Sequence, residues 1–330
     1  MLNKKFIVSF AALMFILMIA LVGCGAQEEQ QSAEEAAPTE ETASSDQAEP
    51  TSYTIDHAMG STTIEGTPEK IVILTNEGTE ALLAMGVTPV GAVKSFTGDP
   101  WYPHIAEQME GVTEVGTESE PNLEAIAALQ PDLIIGNKMR QEAVYEQLSA
   151  IAPTVFAETL RGDWKENFQL YAKAINKEEK GQEVLAAYDA RVEEFKEKAG
   201  DKLNQKISMV RFMGGEVRIY QKDTFSGVIL EQIGFARPES QNVDEFAIRG
   251  VTKEMIPQME GDVLFYFTYE TGDGEASKLE QEWLNDPLFQ KLQVVQNGNI
   301  HKVDDVIWNT AGGVIAANLM IDDLEKFFLQ

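Results

Sequence analysis

The feature that most constrains the fold of this chain is a pattern that occurs twice, once on each side of a long helical segment. The first copy runs from Asn122 to Asp132, and the second runs from Thr252 to Asp262. In both copies Glu, Ile, an apolar residue and Asp occupy the same offsets, and an apolar strand follows. Internal similarity of this kind predicts two similar lobes. The alternative is that helix–turn–strand units resemble one another in any α/β protein.

The segment between the two copies, Lys177 to Ala199, is predicted to be one continuous helix. Asn176 can serve as its N-cap, and Gly200 can end it. At a rise of 1.5 Å per residue the helix spans roughly 34 Å, the width of a domain. Apolar side chains recur at steps of three and four residues and predict one buried stripe, formed by Val184, Leu185, Tyr188, Val192 and Phe195.

The predicted fold class is α/β, with two Rossmann-like lobes, mostly parallel central sheets and one long connecting helix. Short apolar runs typical of buried strands open the two lobes at Lys70–Leu74 and Ile207–Met213. The predicted divisions are residues 1–23 (signal peptide), 24–52 (lipidated cysteine and acidic tether), 53–175 (first lobe), 176–200 (connecting helix) and 201–330 (second lobe).

The first residues predict export. Lys4 and Lys5 precede an apolar run from Phe6 to Val22, which is the pattern of a secretory signal. Cys24, the only cysteine of the chain, ends a Leu-x-Gly-Cys segment that resembles the lipobox of bacterial lipoproteins. The alternative is a transmembrane anchor, since the run approaches the lower limit of spanning length. Once Cys24 is lipidated, no thiol remains for disulfides, metal ligation or catalysis.

Charge distinguishes the tether from the folded part. Gly25 to Pro50 holds eight acids, no base and no large apolar residue, so this segment is predicted to be a flexible tether. The whole chain carries a net charge of −28, which argues against nucleic acid as a partner. If such an acidic chain binds an anion, its few arginines must be gathered in one place.

The sequence carries no signature of a common enzyme class. It contains no Gly-x-Ser-x-Gly, no P-loop and no Gly-x-Gly-x-x-Gly after the first strand. His57, His104 and His301 are widely separated, so a metal site built from several histidines is not expected. We therefore expect a protein that is not an enzyme and that carries no cofactor and no resident metal.

Candidate ligand-binding residues lie at or near predicted strand ends, because ligands of open parallel sheets collect at the carboxyl ends of the strands. Arginine forks suit carboxylate or hydroxamate oxygens, and tryptophan faces offer stacking and cation–π contacts. The cationic and aromatic candidates from both lobes are Lys94, Trp101, Lys138, Arg140, Arg211, Arg218, Tyr220 and Trp308.

Several of these candidates have a simpler interpretation. Lys138 can be a solvated lysine, and Arg218 can be an outward-facing strand residue. Trp101 and Trp308 can be packing residues. Arg211 lies within an apolar strand, where an unpaired charge is costly, so its partner is either a structural acid or a bound anion.

The lipobox, the acidic tether and the two lobes on one helix together resemble the iron–siderophore-binding lipoproteins of bacterial ABC importers, a class of substrate-binding proteins with a helical backbone. The segments that carry the resemblance are Pro68–Val72, Asn122–Arg140 and Arg211–Tyr220. Within that family the chain looks most similar to Bacillus-type proteins for hydroxamate and citrate-based hydroxycarboxylate siderophores. The resemblance implies a monomer, lipid-anchored on the outer face of the cytoplasmic membrane, that passes a ferric siderophore to an ABC permease for iron import.

The resemblance also implies roles for particular residues. Arg140 matches an arginine that contacts citrate-derived siderophores in relatives. Glu124 and Glu254 match the glutamates, one per lobe, that dock on arginine pockets of the permease. Both glutamates also fit a simpler role as acids favoured by a helix dipole. The iron would be cargo held by its own chelator, and the single long helix implies only a small closure on binding.

Two other functions remain open from the sequence. A haem- or corrinoid-binding protein would use the same architecture, although haem usually requires a Tyr, His or Met axial ligand. A surface adhesin or structural lipoprotein would leave the clustered cations without a role.

Overall fold

The computed structural model describes residues 52–330. The predicted signal peptide, Cys24 and the predicted tether up to residue 51 lie outside the described residues. Within residues 52–330 no helix is both long enough and apolar enough to cross a membrane.

An antiparallel hairpin opens the described chain, and a five-stranded parallel sheet follows it. The hairpin strands are Ser52–His57 (β1) and Gly60–Glu65 (β2). The sheet has the order β5-β4-β3-β6-β7 and consists of Ile71–Ile73 (β3), Gly91–Ala92 (β4), Thr113–Glu114 (β5), Leu133–Asn137 (β6) and Thr154–Ala157 (β7). The α-helices of this half are Asn76–Ala84 (α1), Leu123–Leu129 (α2), Lys138–Gln141 (α3), Tyr145–Ser149 (α4) and Trp164–Ala174 (α5). The central strands β3 and β6 are buried at every residue, which explains their nearly unbroken apolar sequence.

A single helix, Glu178–Ala199 (α6), leads from the first sheet to the second. Gly200 follows it with a positive φ of 52°. The predicted N-cap is wrong, because Lys177 holds that position while Asn176 has a left-handed backbone with φ 55°. The Asn176 amide donates to the hydroxyl of Thr67 at 3.0 Å instead. The buried face of α6 contains most of the predicted stripe, namely Leu185, Tyr188, Val192 and Phe195.

The second sheet has five strands in the order β10-β9-β8-β11-β12. They are Ile207–Met213 (β8), Glu216–Tyr220 (β9), Ala247–Ile248 (β10), Val263–Tyr269 (β11) and Ile300–Lys302 (β12). Strands β8, β11 and β12 are parallel, whereas β9 runs antiparallel to both of its neighbours. The helices of this half are Phe225–Ile233 (α7), Glu275–Leu284 (α8), Gln293–Gln296 (α9) and Val314–Phe328 (α10), and a π-helix at Val306–Thr310 precedes α10. The predicted α/β class with mostly parallel sheets is confirmed.

The repeated aspartate has the same structural role in both halves. Asp132 accepts backbone hydrogen bonds from Glu69 at 3.0 Å and Lys70 at 2.8 Å, at the entrance to β3. Asp262 accepts one from Lys206 at 2.7 Å, at the entrance to β8. Each carboxylate therefore joins the starts of two neighbouring parallel strands, β3 with β6 and β8 with β11. The same position recurs because the two sheets are assembled in the same way at their centres.

The C-terminal helix α10 contacts elements of the first half as well as α6. Glu80, which is completely buried on α1, accepts a hydrogen bond from the backbone N–H of Ala316 at 2.8 Å. Arg191 on α6 donates to the side chains of Asn318 at 3.0 Å and Asp322 at 2.6 Å. The two halves are thus joined by α6 and also by α10, and the residues that lead into α10 are held beside α1.

Candidate ligand-binding cleft

A cleft of about 400 Å³ lies between the two halves of the described chain. Arg140 enters it just after β6, Arg211 from within β8 and Tyr269 from the last residue of β11. These positions agree with the rule that ligands of open parallel sheets collect at the carboxyl ends of strands. The full lining consists of Glu77, Phe96, Glu118, Arg140, Leu160, Arg161, Arg211, Met213, Arg218, Tyr220, Phe225, Phe246, Arg249, Tyr269 and residues 309–312.

The cleft concentrates positive charge in an acidic chain. Five of the seven arginines of the sequence line it, although the net charge of the chain is −28. Like charges at such density are unfavourable unless counter-charges approach them. The partners of each arginine therefore show how much positive charge remains for a ligand.

Arg211 is held by protein groups. The residue is 7% exposed, and its guanidinium forms a bidentate pair with Asp305 at 2.6 and 2.9 Å. Nη1 also donates to the hydroxyl of Tyr220 at 3.1 Å, and the Tyr269 ring lies 4.9 Å away. With its amide oxygen toward Arg211, Asn309 accepts from Nη1 at 3.1 Å and from Nη2 at 3.2 Å. Burial disfavours the charge on Arg211, but Tyr220 and Asp305 outweigh burial and raise its pKa. The partner left open by the sequence is thus a structural acid.

A second group of arginines surrounds one aromatic ring. The guanidinium carbons of Arg161, Arg249 and Arg218 lie 4.1, 5.3 and 6.0 Å from the centre of the Phe246 ring, within cation–π range. Arg218 is paired with Glu216 at 2.5 Å, and its buried Nε has no hydrogen-bond partner in the described part of the chain.

Arg161 and Arg249 are the cleft arginines whose charge is not paired with an acid in the described part of the chain. Neither forms an ion pair with an acid anywhere in residues 52–330. Burial lowers the pKa of Arg161, and the charges of Arg140 and Arg249 act in the same direction, although Asp223 opposes them. The two guanidiniums are therefore available to an anion that enters the cleft.

Arg140 has only a loose protein partner. Its Nε lies 3.5 Å from one oxygen of Glu118, and its side chain is 38% exposed. The other oxygen of Glu118 accepts from the backbone and side-chain nitrogens of Asn76 at 2.8 and 2.9 Å. Arg140 can therefore turn toward a ligand without leaving Glu118 unpartnered.

Four candidates from the sequence lie outside the cleft lining, and their role in ligand binding stays a prediction. Lys94 is exposed elsewhere, and Lys138 pairs with Glu158 at 2.8 Å. Trp101 is 8% exposed and belongs to the hydrophobic core. Trp308 is completely buried because the π-helix turns its ring onto Phe265 at 4.6 Å, while its indole N–H donates to Asp323 at 3.1 Å. The alternative interpretation of both tryptophans as packing residues agrees with these positions.

The sequence analysis missed cleft residues that lie on connecting segments. Arg161 lies in a short 3₁₀ helix, Arg161–Asp163, just before α5, Arg249 lies in a loop next to β10, and Phe96 and Phe246 also lie outside regular strands. The sequence of a connecting segment has no periodic pattern, so it does not indicate which side chains face a cleft. One available signal was the arginine count, since a chain with only seven arginines has few other places to find a cationic site.

The two glutamates of the repeated pattern lie on corresponding helical turns. Glu124 is in the first turn of α2, and Glu254 is in the first turn of a 3₁₀ helix at Lys253–Met259. Both side chains are exposed. The hydroxyl of Thr252 and the backbone N–H of Glu254 itself lower the pKa of Glu254, so it is a carboxylate at neutral pH.

The histidines lie apart, as the sequence spacing suggested. His104 contacts Glu80 at 2.6 Å, and His57 contacts Thr62 in the hairpin. Among residues 52–330 no group of three or more His, Cys, Asp or Glu side chains could hold a metal ion.

Two α/β halves with a cationic cleft between them define a solute-binding protein. The chain belongs to the family described as periplasmic binding protein, which matches residues 71–306. The resemblance to siderophore-binding proteins is confirmed.

Particular relatives cover nearly all of the described chain. It is 55% identical over 285 residues to the probable siderophore-binding lipoprotein YfiY of Bacillus subtilis, covering 84% of this chain and 88% of that one. It is 30% identical to the Fe(3+)-citrate-binding protein YfmC of the same organism, covering 83% and 85%. The solved structure of Staphylococcus aureus SirA with staphyloferrin B matches with a TM-score of 0.78 at 36% identity, covering 83% and 97%.

Proposed function

We propose that this protein captures a ferric siderophore of the citrate-based hydroxycarboxylate or hydroxamate type between its lobes and delivers it to an ABC permease for iron import. Residues 53–175 and 201–330 act as the lobes, and 176–200 connects them. Cys24 carries the lipid that anchors the protein to the outer face of the cytoplasmic membrane, and residues 24–52 form the tether. The protein acts as a monomer and performs no chemistry.

The observation that carries the proposal is the positive charge in the cleft that no acid of residues 52–330 pairs with. Arg161 and Arg249 have aromatic contacts but no acid partner within residues 52–330, and Arg140 has only a loose one. Guanidinium groups pair with carboxylate and hydroxamate oxygens in two-pronged geometry. Phe96, Phe246 and Tyr269 supply apolar surface for the carbon backbone of such a chelate.

The names of the relatives agree with this ligand class. YfiY is named as a siderophore-binding lipoprotein, and YfmC as an Fe(3+)-citrate-binding protein. SirA was solved with staphyloferrin B in place. These names support a ferric chelate as the cargo, and the unpaired arginines favour one that carries exposed anionic oxygens.

The mechanism is binding without catalysis. The siderophore's own oxygens saturate the iron, so the protein has to recognise the outside of the complex. Arg140, Arg161 and Arg249 pair with its anionic oxygens, while the Arg211–Asp305 pair stiffens the wall behind them. Because α6 and α10 both join the two halves, we expect only a small closure on capture.

Delivery requires a second surface. Glu124 and Glu254 occupy equivalent exposed positions in the two halves and can each meet a cationic pocket of a permease subunit. Charge reversal of both glutamates to Lys should abolish iron uptake in cells while leaving chelate binding in solution unchanged. Normal uptake by that double variant would remove the docking role.

The test of the proposed ligand is a titration that follows tryptophan fluorescence. Trp164 packs against the cleft residue Phe225 with ring centres 6.3 Å apart, so a bound iron complex lies near a reporter. The panel comprises ferric schizokinen, ferric staphyloferrin B, ferric citrate, a ferric tris-catecholate, haem and cobalamin. We expect saturable quenching at submicromolar concentration by a citrate-based complex.

Variants locate the ligand within the protein. Arg161→Gln and Arg249→Gln should each weaken binding by about tenfold to a hundredfold, the range for one charged hydrogen bond of roughly 1.5–3 kcal/mol. Lys138→Gln is the matched control, since it removes a cation two residues from Arg140 but outside the cleft. Its affinity should be unchanged.

The same panel separates the alternatives. Binding of haem alone, with a Soret band, would keep the fold and replace the ligand. Quenching by the catecholate alone would also overturn the citrate-based class. Absence of binding by every member would favour an adhesin or structural lipoprotein.

A further inference from the structure

An acidic side chain lies in the floor of the cationic cleft. Glu77 is 5% exposed, belongs to the first turn of α1 and lines the cleft together with the five arginines. A carboxylate at this position would repel an anionic chelate. The proposed function does not explain why an acid is buried there.

The two carboxyl oxygens of Glu77 differ in their hydrogen bonding. Oε1 accepts from the Asn167 amide at 2.9 Å and from the Tyr171 hydroxyl at 3.2 Å, both on α5. Oε2 has no hydrogen-bond partner within residues 52–330. When one oxygen of a carboxylic acid accepts two hydrogen bonds, the proton can reside on the other oxygen. That O–H can then donate to a ligand.

The groups around Glu77 favour the neutral form. Burial is the main cause, and the nearby acids Glu118 and Asp163 add to it, so that the pKa of Glu77 is raised to about 8 although Asn167 and Tyr171 oppose the shift. Tyr171 stays neutral, since burial raises its own pKa well above the ordinary value.

The residues that face Glu77 from its other neighbours do not change this balance. A Cβ at Gly312, on the segment leading into α10, would lie 3.9 Å from the β-carbon of Glu77, and Gly312 carries no charge. On α1 itself Glu80 is one turn away and is engaged by His104 and Ala316. Five arginines line the same cleft, but none of them is among the main contributions to the pKa of Glu77.

Glu118, the other buried acid of the cleft, has a different environment. Both nitrogens of Asn76 donate to one of its oxygens, and Arg140 lies near the other. Burial raises the pKa of Glu118 as well, but Asn76 and Arg140 oppose it. No cation is among the main contributions to the pKa of Glu77, so it is the acid of this pair that is suited to act as a hydrogen-bond donor.

We propose that Glu77 is a specificity-determining residue that binds the captured chelate as a neutral acid, donating a hydrogen bond from its free carboxyl oxygen to an anionic oxygen of the siderophore. Capture of an anionic chelate is then coupled to a proton, because a cleft in which Glu77 is ionised must take one up before it binds. This inference rests on the proposed function. The Glu77 O–H is an additional hydrogen-bond donor in the cleft. It favours ligands that place an acceptor oxygen next to Glu77.

A purely structural role makes a different prediction. If Glu77 only held α5 against α1 through Asn167 and Tyr171, its removal would change stability without changing how affinity depends on pH. The donor role requires a pH dependence that disappears when the titratable group is replaced by an amide of the same shape.

The experiment measures the affinity for ferric schizokinen between pH 7 and pH 9 by fluorescence and by calorimetry. Because only the protonated fraction is competent, wild-type affinity should fall about tenfold over this range. Glu77→Gln keeps an oxygen for Asn167 and Tyr171 and offers an N–H to the ligand. At pH 7 its affinity should be close to that of the wild type. Between pH 7 and pH 9 its affinity should stay constant. An effect of pH on the ferric chelate itself is the same for both proteins, so it cancels when the two affinities are divided at each pH.

Calorimetry at pH 8.5 in two buffers of different ionisation enthalpy counts the protons directly. Wild-type protein should take up about three quarters of a proton per chelate bound, and Glu77→Gln none. Glu166→Gln, an exposed acid on α5, is the matched control and should behave as wild type. The wild-type measurement does not depend on whether the Glu77 variant folds.

The outcomes distinguish the two proposals. No binding of ferric schizokinen at any pH, together with no binding by the rest of the panel, would overturn the proposed function. Tight binding without proton uptake, or with equal pH profiles for wild type and Glu77→Gln, would overturn the role of Glu77 and leave the function standing. A pH dependence that persists in Glu77→Gln and disappears in Glu118→Gln would assign the proton to Glu118 and also overturn the proposal.

Discussion

The Arg211–Asp305 pair offers the most direct test of the electrostatics behind the cleft. Both side chains are more than nine-tenths buried, and two hydrogen bonds of 2.6 and 2.9 Å join them. The substitution Asp305→Asn keeps the shape and removes the charge, so a buried guanidinium loses the one acid that pairs with it within residues 52–330. Removing one partner of a buried pair typically costs about 3–5 kcal/mol. Because Tyr220 and Asn309 still accept from Arg211, we expect the lower end, about 3 kcal/mol.

The assay is urea unfolding at pH 7, followed by fluorescence and circular dichroism, with calorimetry for the midpoint temperature. A loss of this size should lower the midpoint by roughly 5 °C in a folded part of this length. The double variant Arg211→Met with Asp305→Asn should recover part of the loss, because no charge is then left unpaired. Glu183→Gln, which removes an exposed partner of Lys180 on α6, is the control and should show no measurable change. A stability of Asp305→Asn within about 1 kcal/mol of wild type would refute the reasoning.

Two further predictions concern backbone packing and pH. Gly227→Ala should destabilise at the upper end of the roughly 1–3 kcal/mol typical of overpacking, because its new Cβ would lie 2.5 Å from the carbonyl oxygen of Gln221. Gly214→Ala, whose Cβ would meet nothing closer than 3.8 Å, should be nearly neutral, and equal thermal shifts for the two variants would contradict this account. The Nδ1 atom of His57 accepts two backbone hydrogen bonds at 3.3 Å, and burial lowers its pKa although Asp56 opposes the shift. The unfolded chain then binds the proton more readily, so stability should fall as the pH drops from 7 toward 5, and His57→Gln should lose less over that range. Parallel urea midpoints for wild type and His57→Gln across that range would exclude the effect.

The candidate site was only partly predictable from the sequence. Arg140, Arg211, Arg218 and Tyr220 lie on or directly after strands, and the structure brings all four to the cleft. Strand ends can be recognised from apolar runs, and parallel strands deliver their ends to one edge of a sheet. Whether these residues contact a ligand remains the prediction that the titrations test.

The residues that the sequence misplaced or missed depend on contacts between distant segments. Trp308 follows a strand, as predicted, but a π-helix turns its ring into the core. Arg161 and Arg249 come from separate connecting segments and both contact the ring of Phe246, so no local pattern could pair them. The sequence also did not indicate that the acid at position 77 would be buried among arginines.

The sequence by itself determined the class of the protein: two α/β halves, a long helix between them, and an aspartate that recurs just before a strand in each half. These features follow from periodicity and from backbone hydrogen bonds within a few neighbouring elements, which the local sequence encodes. Only the tertiary structure decided which arginines meet, which of them are already paired, and that α10 returns to α1 through Glu80. Those outcomes depend on the packing of segments that are distant in the sequence, because burial and electrostatic interactions are set by what each side chain finally faces.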